Sequence, residues 1–232
     1  MSGLRGLLAG FGIVALLATA LWLHGWLDDP HSLPIRTVTV EGDFRFLDPA
    51  ELYDAAVSEI EGGFFVVEIE RVRGAIEALP WVSQASVRRV WPDRLHAQVV
   101  EQVPLARWGE AALVNGEGAR FEPPADQLPP GLPSLDGPLE SEERVVQRFY
   151  ELADVLALAG LELIALRLDE RRAWSAELAG GIELVMGRDE GNAALYRFVA
   201  VWRSHLAQTE GPPARRIDLR HTNGFAVRFA NG

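Results

Sequence analysis

The longest apolar run stands at the start of the chain. From Gly6 to Leu27 there are 22 residues without a formal charge. As a helix rising 1.5 Å per residue, that run is about 33 Å long, enough for the hydrocarbon core of a bilayer, about 30 Å. Arg5 precedes it and Asp28 and Asp29 follow, a distribution that favours insertion with the N-terminus inside. Trp22 and Trp26 lie four apart, on one helical face near the outer interface. Ala18-Thr19-Ala20 has the small-x-small form of a signal cleavage site. The run is longer than a signal core, however, and continues through Leu21, Trp22 and Leu23. The expectation is an uncleaved anchor: a short cytoplasmic tail over 1–5, a transmembrane helix over 6–27 and a juxtamembrane linker over 28–34. The rest of the chain then lies on the far side of the membrane.

After the linker the period changes. Ile35, Val38 and Val40 read as a short strand closed by Gly42. Asp48-Pro49-Ala50-Glu51 combines a capping carboxylate, proline at the first helical position and a glutamate at the third, the pattern of a capping box. It predicts a helix from Pro49 to about Glu59 that buries Leu52, Ala55 or Ala56, and Ile60. A second helix is expected from Ile69 to Leu79, with Val72, Ile76 and Leu79 inward and Pro80 as its stop. Two strands follow, 82–89 and 94–101, joined by a turn at Trp91-Pro92-Asp93. Strand, helix, helix, strand, strand is a small α+β domain, assigned to 35–103.

The remainder, 104–232, is richer in strands. Leu105–Trp108, Ala112–Asn115 and Ala119–Phe121 are short candidates separated by glycine turns. Prolines at 123, 124, 129, 130 and 133 exclude a helix or a central strand there and predict a loop or an extended edge. A helix from Glu142 to Ala159 shows Val145, Phe149 and Leu152 at helical spacing. Strands are expected at 163–168, 174–178 and 182–186, then a helix from Gly191 to Leu206, then strands around Ile217 and from Phe225 to Phe229. The expected architecture is an antiparallel sheet with two helices on one face. In the last strand Phe225, Val227 and Phe229 share one side by two-residue parity, and should pack inward. Ala226 and Arg228 take the other side. The backbone edge is then expected to be free to pair with a partner's strand, and a proline at Ala226 should weaken that pairing if the N–H it removes faces outward.

Composition narrows the function. The chain has no cysteine and no lysine; all 22 of its basic residues are arginine, set against 33 carboxylates, for a net charge of −11. Disulfides, thiolate nucleophiles, Schiff bases and the phosphate-binding lysine are excluded, and an acidic chain is a poor nucleic-acid partner. The histidines at 24, 31, 96, 205 and 221 show no metal-ligand spacing, and no G-x-S-x-G elbow exists. Neither a catalytic, a cofactor nor a metal site is expected. The polar cluster Asp218-Leu219-Arg220-His221 alternates as a half-buried strand does.

Several segments together resemble one family. Leu79-Pro80-Trp81-Val82, Ala85-x-Val87-x-Arg89-x-Trp91-Pro92-x-x-Leu95 and Glu101-x-x-Pro104-x-Ala106-x-Trp108 occur in order, followed by Leu113-x-Asn115-x-x-Gly118-x-x-Phe121. Leu132-Pro133-x-Leu135, Ala173-Trp174 and Ile217-Asp218-x-Arg220-x-x-Asn223-Gly224-x-Ala226-Val227 complete the set. The set resembles the FtsQ/DivIB family of bacterial cell-division proteins. The resemblance implies a non-enzymatic scaffold of the divisome at the septum: one inner-membrane anchor, then a periplasmic POTRA domain and a β domain. It further implies binding of the FtsB–FtsL pair by the β domain, and of FtsK and other division proteins by the POTRA domain. The implied contact residues are Arg220, His221, Asn223, Gly224, Phe225, Ala226 and Arg228, with Arg197 on the neighbouring helix. Where the family often has tyrosine, His221 offers a hydrogen-bonding imidazole. The alternative is a membrane-anchored periplasmic hydrolase with a carboxylate or histidine site that spacing does not reveal.

Overall fold

A computed structural model describes residues 2–28, 33–188, 191–204, 213–221 and 224–230. Helix α1 (Ser2–Asp28) is 27 residues long. Its described side chains, those of residues 11–26, are all exposed. They cover only about 24 Å, and among the described residues no helix is long and apolar enough to cross a membrane. The span expected over 6–27 extends past these side chains at both ends. Residues 29–32 of the linker lie outside the described residues.

The chain divides into two compact units, Met1–Gln102 and Val103–Gly232. After α1, the first unit contains β1 (Thr37–Glu41), α2 (Pro49–Ser58), α3 (Ile69–Glu77), β2 (Val82–Val90) and β3 (Arg94–Glu101). The strands form one sheet in the order β1-β3-β2. β2 and β3 are the antiparallel hairpin that the turn at residues 91–93 predicts, and β1 joins β3 in parallel. Asp48 caps α2 as expected, its carboxylate accepting from the Ala50 N–H at 2.8 Å. Of the two candidates, Ala56 is the buried one. Leu52, Ala56, Val72 and Ile76 of the helices and Leu95, Ala97 and Val99 of β3 are all fully or nearly fully buried.

One carboxylate organises the segment between β1 and α2. Glu101, at the end of β3, accepts from the backbone N–H groups of Arg45, Phe46 and Leu47 at 2.8, 2.7 and 2.7 Å. Three charge-assisted bonds to one group fix that segment. The Phe46 ring then stacks on Trp81 at 4.3 Å, with the planes 12° apart. Trp81 is buried, as its place after Pro80 suggests, whereas Trp91 at the hairpin tip is 73% exposed.

The second unit is built on one sheet of nine strands: β4 (Pro104–Trp108), β5 (Ala112–Asn115), β6 (Arg120–Phe121), β7 (Ser134–Asp136), β8 (Leu163–Leu168), β9 (Trp174–Leu178), β10 (Ile182–Gly187), β11 (Ala214–Asp218) and β12 (Ala226–Phe229). Their order is β12-β11-β10-β9-β8-β7-β4-β5-β6. The expected all-antiparallel sheet is corrected here. β4–β7, β7–β8 and β10–β11 are parallel pairs. The reason lies in the helices. α4 (Glu142–Ala157) connects β7 to β8 and α5 (Ala193–Ser204) connects β10 to β11, and a crossover helix returns the chain in the direction in which it left. Both crossovers step the same way across the sheet, so a common hand puts both helices on one face. One core results, with Phe149, Leu152 and Leu156 of α4 and Leu195 and Phe198 of α5 against Leu166, Trp174, Leu178 and Leu184. The proline-rich span 123–133 is a loop, as expected, with one short 3-10 turn at Ala125–Gln127; it leads into β7, a central strand that the pattern did not predict.

Gly118 sets how closely the β5–β6 turn approaches α4. Its φ is +88°, and a Cβ there would lie 2.5 Å from the Glu143 Cα, so no side chain fits.

Replacing Trp81 by alanine removes the stacked partner of Phe46 and opens a cavity in the first unit, with an expected loss of about 3–5 kcal/mol. Calorimetry of the full chain should show the first unit's transition lowered while that of the second unit is unchanged. An unaltered first transition would contradict this placement.

Candidate functional site

The terminal strands form one edge of the large sheet. β11 lies in parallel beside β10, with Leu184 opposite Ile217, and β12 runs antiparallel along β11, with Asp218 opposite Ala226, Ile217 opposite Val227 and Arg216 opposite Arg228. Nothing pairs with the outer side of β12 among the described residues.

Backbone direction on β12 follows from two hydrogen bonds. The Leu219 N–H donates to the Val185 carbonyl at 2.8 Å, and the Ala230 N–H donates to the Pro213 carbonyl at 3.0 Å. Alternation along β11 then turns the peptide groups of Asp218 and Arg216 toward β12. Alternation along β12 turns those of Ala226 and Arg228 toward β11. The two inferences agree, and they leave the N–H and C=O groups of Val227 and Phe229 on the free edge. The condition set for a proline at Ala226 is not met, because its N–H belongs to the internal ladder with β11.

Side-chain parity is met in part. Phe225 is half-buried against the core and meets Phe198 edge-on, with centroids 5.7 Å apart and planes at 90°. Val227 is half-buried on the same face as Ile217, but Phe229 is 37% exposed, beyond a register shift opposite Ala214 and Arg216. Ala226 and Arg228 are exposed, as expected. Gly224 is half-buried at the approach to the strand, and Asn223 lies outside the described residues.

Arg220 is held by its neighbour. The Asp218 carboxylate accepts from the Arg220 N–H at 3.1 Å, from its Nε at 2.9 Å and from its Nη2 at 2.5 Å. The Arg220 side chain therefore lowers the Asp218 pKa to about 2, against the opposing effect of burial, and the same pairing raises that of Arg220. The Arg220 stem also lies against Gly187, whose φ is +74° and where a Cβ would come 3.0 Å from Cγ. Arg220 and His221 border a cleft of 1080 Å³ that Arg197 also lines, so the structure gathers three of the expected residues in one place. Ala226 and Arg228 are not among the residues lining it.

Six arginines line the cleft against two carboxylates, Asp169 and Glu183, among the described residues. Much of this charge is already matched. The Arg216 Nη1 donates to both carboxylate oxygens of Glu183, at 3.0 and 2.8 Å, and Arg148, 5% exposed, binds Glu151 at 2.7 Å and Asn192 at 2.8 Å. Among the described residues no group of three or more His, Asp or Glu side chains is placed to hold a metal ion. Sequence reasoning missed the roles of Arg148 and Glu183; the exposed strand spacing of Asp218 and Arg220 was the one available signal for their pair.

The Asp218–Arg220 pair carries a pH signature. Because the folded-state pKa of Asp218 is depressed, its contribution is complete above the unfolded value, about 3.9, and is lost as pH falls toward about 2. Carboxyl NMR titration should place the Asp218 midpoint near 2, and Arg220→Ala should return it toward the ordinary carboxylate range. An Asp218 midpoint insensitive to Arg220→Ala would contradict the pairing.

A family model described as POTRA domain, FtsQ-type, matches residues 33–102, and one described as Cell division protein FtsQ/DivIB, C-terminal, matches residues 106–220. A Cell division protein FtsQ of Coxiella burnetii is 36% identical over 224 residues, covering 97% of this chain and 90% of the relative. That of Xanthomonas campestris pv. campestris is 38% identical over 229 residues, covering 97% and 80%. One from a Thioalkalivibrio species is 35% identical over 233 residues, covering 98% and 94%. With both domains matched in order and relatives aligned over nearly the whole chain, the chain belongs to the FtsQ/DivIB family of cell-division proteins.

Proposed function

We propose that this protein is a non-enzymatic, single-span scaffold of the divisome, and that it binds the FtsB–FtsL pair through the edge of β12. The observation that carries the reading is the outward peptide groups at Val227 and Phe229, which no other described strand pairs, beside the exposed Arg228. An uncovered edge strand is a template for another strand. Strand addition supplies main-chain hydrogen bonds, and nearby side chains supply selectivity. Arg220, His221 and Arg197 line a cleft reached just past the end of β11, where they would meet a carboxylate or a polar side chain of the partner. Gly224 and Phe225 set the course of the strand, with Phe225 anchored on Phe198. The family resemblance also supports FtsK and other division proteins as partners of the POTRA domain. The hydrolase alternative gains no support from the cleft, where Glu183 is engaged by Arg216.

In this reading α1 is an uncleaved inner-membrane anchor, with the N-terminus in the cytoplasm and both domains in the periplasm at the septum. Its 27 helical residues are about 40 Å long. The exposed Phe11, Leu16, Leu17, Leu21 and Trp22 are suited to lipid. Terminal sequencing of the membrane-bound protein should find no product that begins at Leu21; such a product would contradict the anchor.

Proline substitution distinguishes the two rows of peptide groups on β12. Val227→Pro removes an outward N–H, so capture of FtsB–FtsL should fall sharply while circular dichroism and melting remain close to wild type. Ala226→Pro removes an N–H from the β11 ladder and should lower the melting temperature of the second unit. A folded Val227→Pro protein that binds the pair with undiminished affinity would refute strand addition. Crosslinkers at Arg228 should capture FtsB or FtsL in growing cells.

A further inference from the structure

Two loops of the first unit hold the chain at residues 33–37, a few residues after α1 in sequence. In the loop at residues 62–66, the Phe64 N–H donates to the Leu33 carbonyl at 2.8 Å and Gly63 bridges to Pro34. At the β2–β3 hairpin tip, the Asp93 carbonyl accepts from the Arg36 N–H at 2.8 Å and from the Thr37 N–H at 3.4 Å. Both loops are thus fastened to residues 33–37.

Both loops also present large apolar side chains that the domain does not cover. Phe65 is 50% exposed, Val66 43% and Trp91 73%. Phe64, by contrast, is buried and holds the first loop in place, with Phe65 edge-on to it at 5.3 Å. Arg36 and Arg94 are exposed beside the hairpin tip. The nearby carboxylate Glu61 is engaged by Arg71 at 3.0 Å. Tryptophan settles at a membrane–water interface, and tryptophan and phenylalanine flanked by arginine are the pattern of a surface that lies in the headgroup boundary.

The tether decides what can cover this surface. Four residues separate Asp28 from Leu33, so five steps of chain reach at most about 18 Å. The headgroup layer adds only about 5–8 Å beyond the hydrocarbon core on each side. Given that α1 spans the bilayer, as proposed above, the 62–66 loop cannot move far from the headgroups of the outer leaflet.

We propose that Phe65, Val66 and Trp91 form a membrane-docking apex, which seats the POTRA domain on the outer leaflet with Arg36 and Arg94 at the phosphate level. The apex converts a single-point tether into a fixed stance of the domain on the membrane. It therefore sets the side of the domain that faces the periplasm.

The absence of cysteine makes a direct test available. Single cysteines at Phe65, Trp91, Trp26 and Ser83 would carry an environment-sensitive fluorophore in the full chain, reconstituted in phosphatidylethanolamine–phosphatidylglycerol vesicles that contain a nitroxide lipid quencher. Ser83 is the reference, an exposed position near the start of β2, at the end of that strand remote from the hairpin tip. Labels at 65 and 91 should be quenched severalfold more than the label at 83, approaching that at 26. Phe65→Cys lies outside the hairpin, so it reports even if Trp91→Cys alters the turn. Quenching at 26 with none at 65 and 91 above the level at 83 overturns the docking apex and leaves the spanning helix intact. Equal, weak quenching at 26 and 83 overturns the spanning helix and the apex with it.

Discussion

The second unit ends on a strand whose outer peptide groups have no partner among the described residues, and the rest of its architecture accounts for that. Two crossover helices occupy one face of the sheet, and both are spent within it: α4 in joining β7 to β8, α5 in joining β10 to β11. Neither covers the β12 edge. Antiparallel pairing with β11 then places a short strand there, with Phe225 pinned to Phe198. The core fixes the strand from one side, and two hydrogen bonds fix the direction of its peptide groups. What remains outward, at Val227 and Phe229, is backbone donor and acceptor capacity. In water those groups are solvated at little cost, so the edge is stable alone and still available.

Electrostatics prepares the neighbouring surface without filling it with free charge. Arg220 is oriented by Asp218, Arg216 by Glu183 and Arg148 by Glu151 and Asn192. A guanidinium already held in one geometry loses less rotamer freedom when a further acceptor arrives. The positions of Arg220 and His221, at the end of β11 and on the cleft rim, follow from the same register that aligns Ile217 with Leu184.

The helices and most strands were legible because each carries a local signal. Asp48-Pro49 marks the start of α2, and the spacing of Val145, Phe149 and Leu152 marks α4. The missed features are nonlocal. β7 has three residues set among prolines, too few to show alternation, and its place in the centre of the sheet comes from β4 and β8. Parallel pairing depends on where a crossover helix returns the chain, which no window of sequence contains. At the candidate site, parity placed Ala226 and Arg228 outward and Phe225 inward. It could not identify the outward N–H groups, because that depends on the side from which β11 pairs. The Phe229 ring is more exposed than parity suggests because the register shifts beside it.

Amide hydrogen exchange of the β12 backbone, with and without FtsB–FtsL, tests the central claim most directly. In the free protein the Ala226 and Arg228 amides should be protected by β11, while those of Val227 and Phe229 exchange at the rate of an exposed edge. Addition of the pair should slow Val227 and Phe229 strongly and change Ala226 and Arg228 little. Exchange at Val227 and Phe229 that is unaltered under saturating partner would contradict the account.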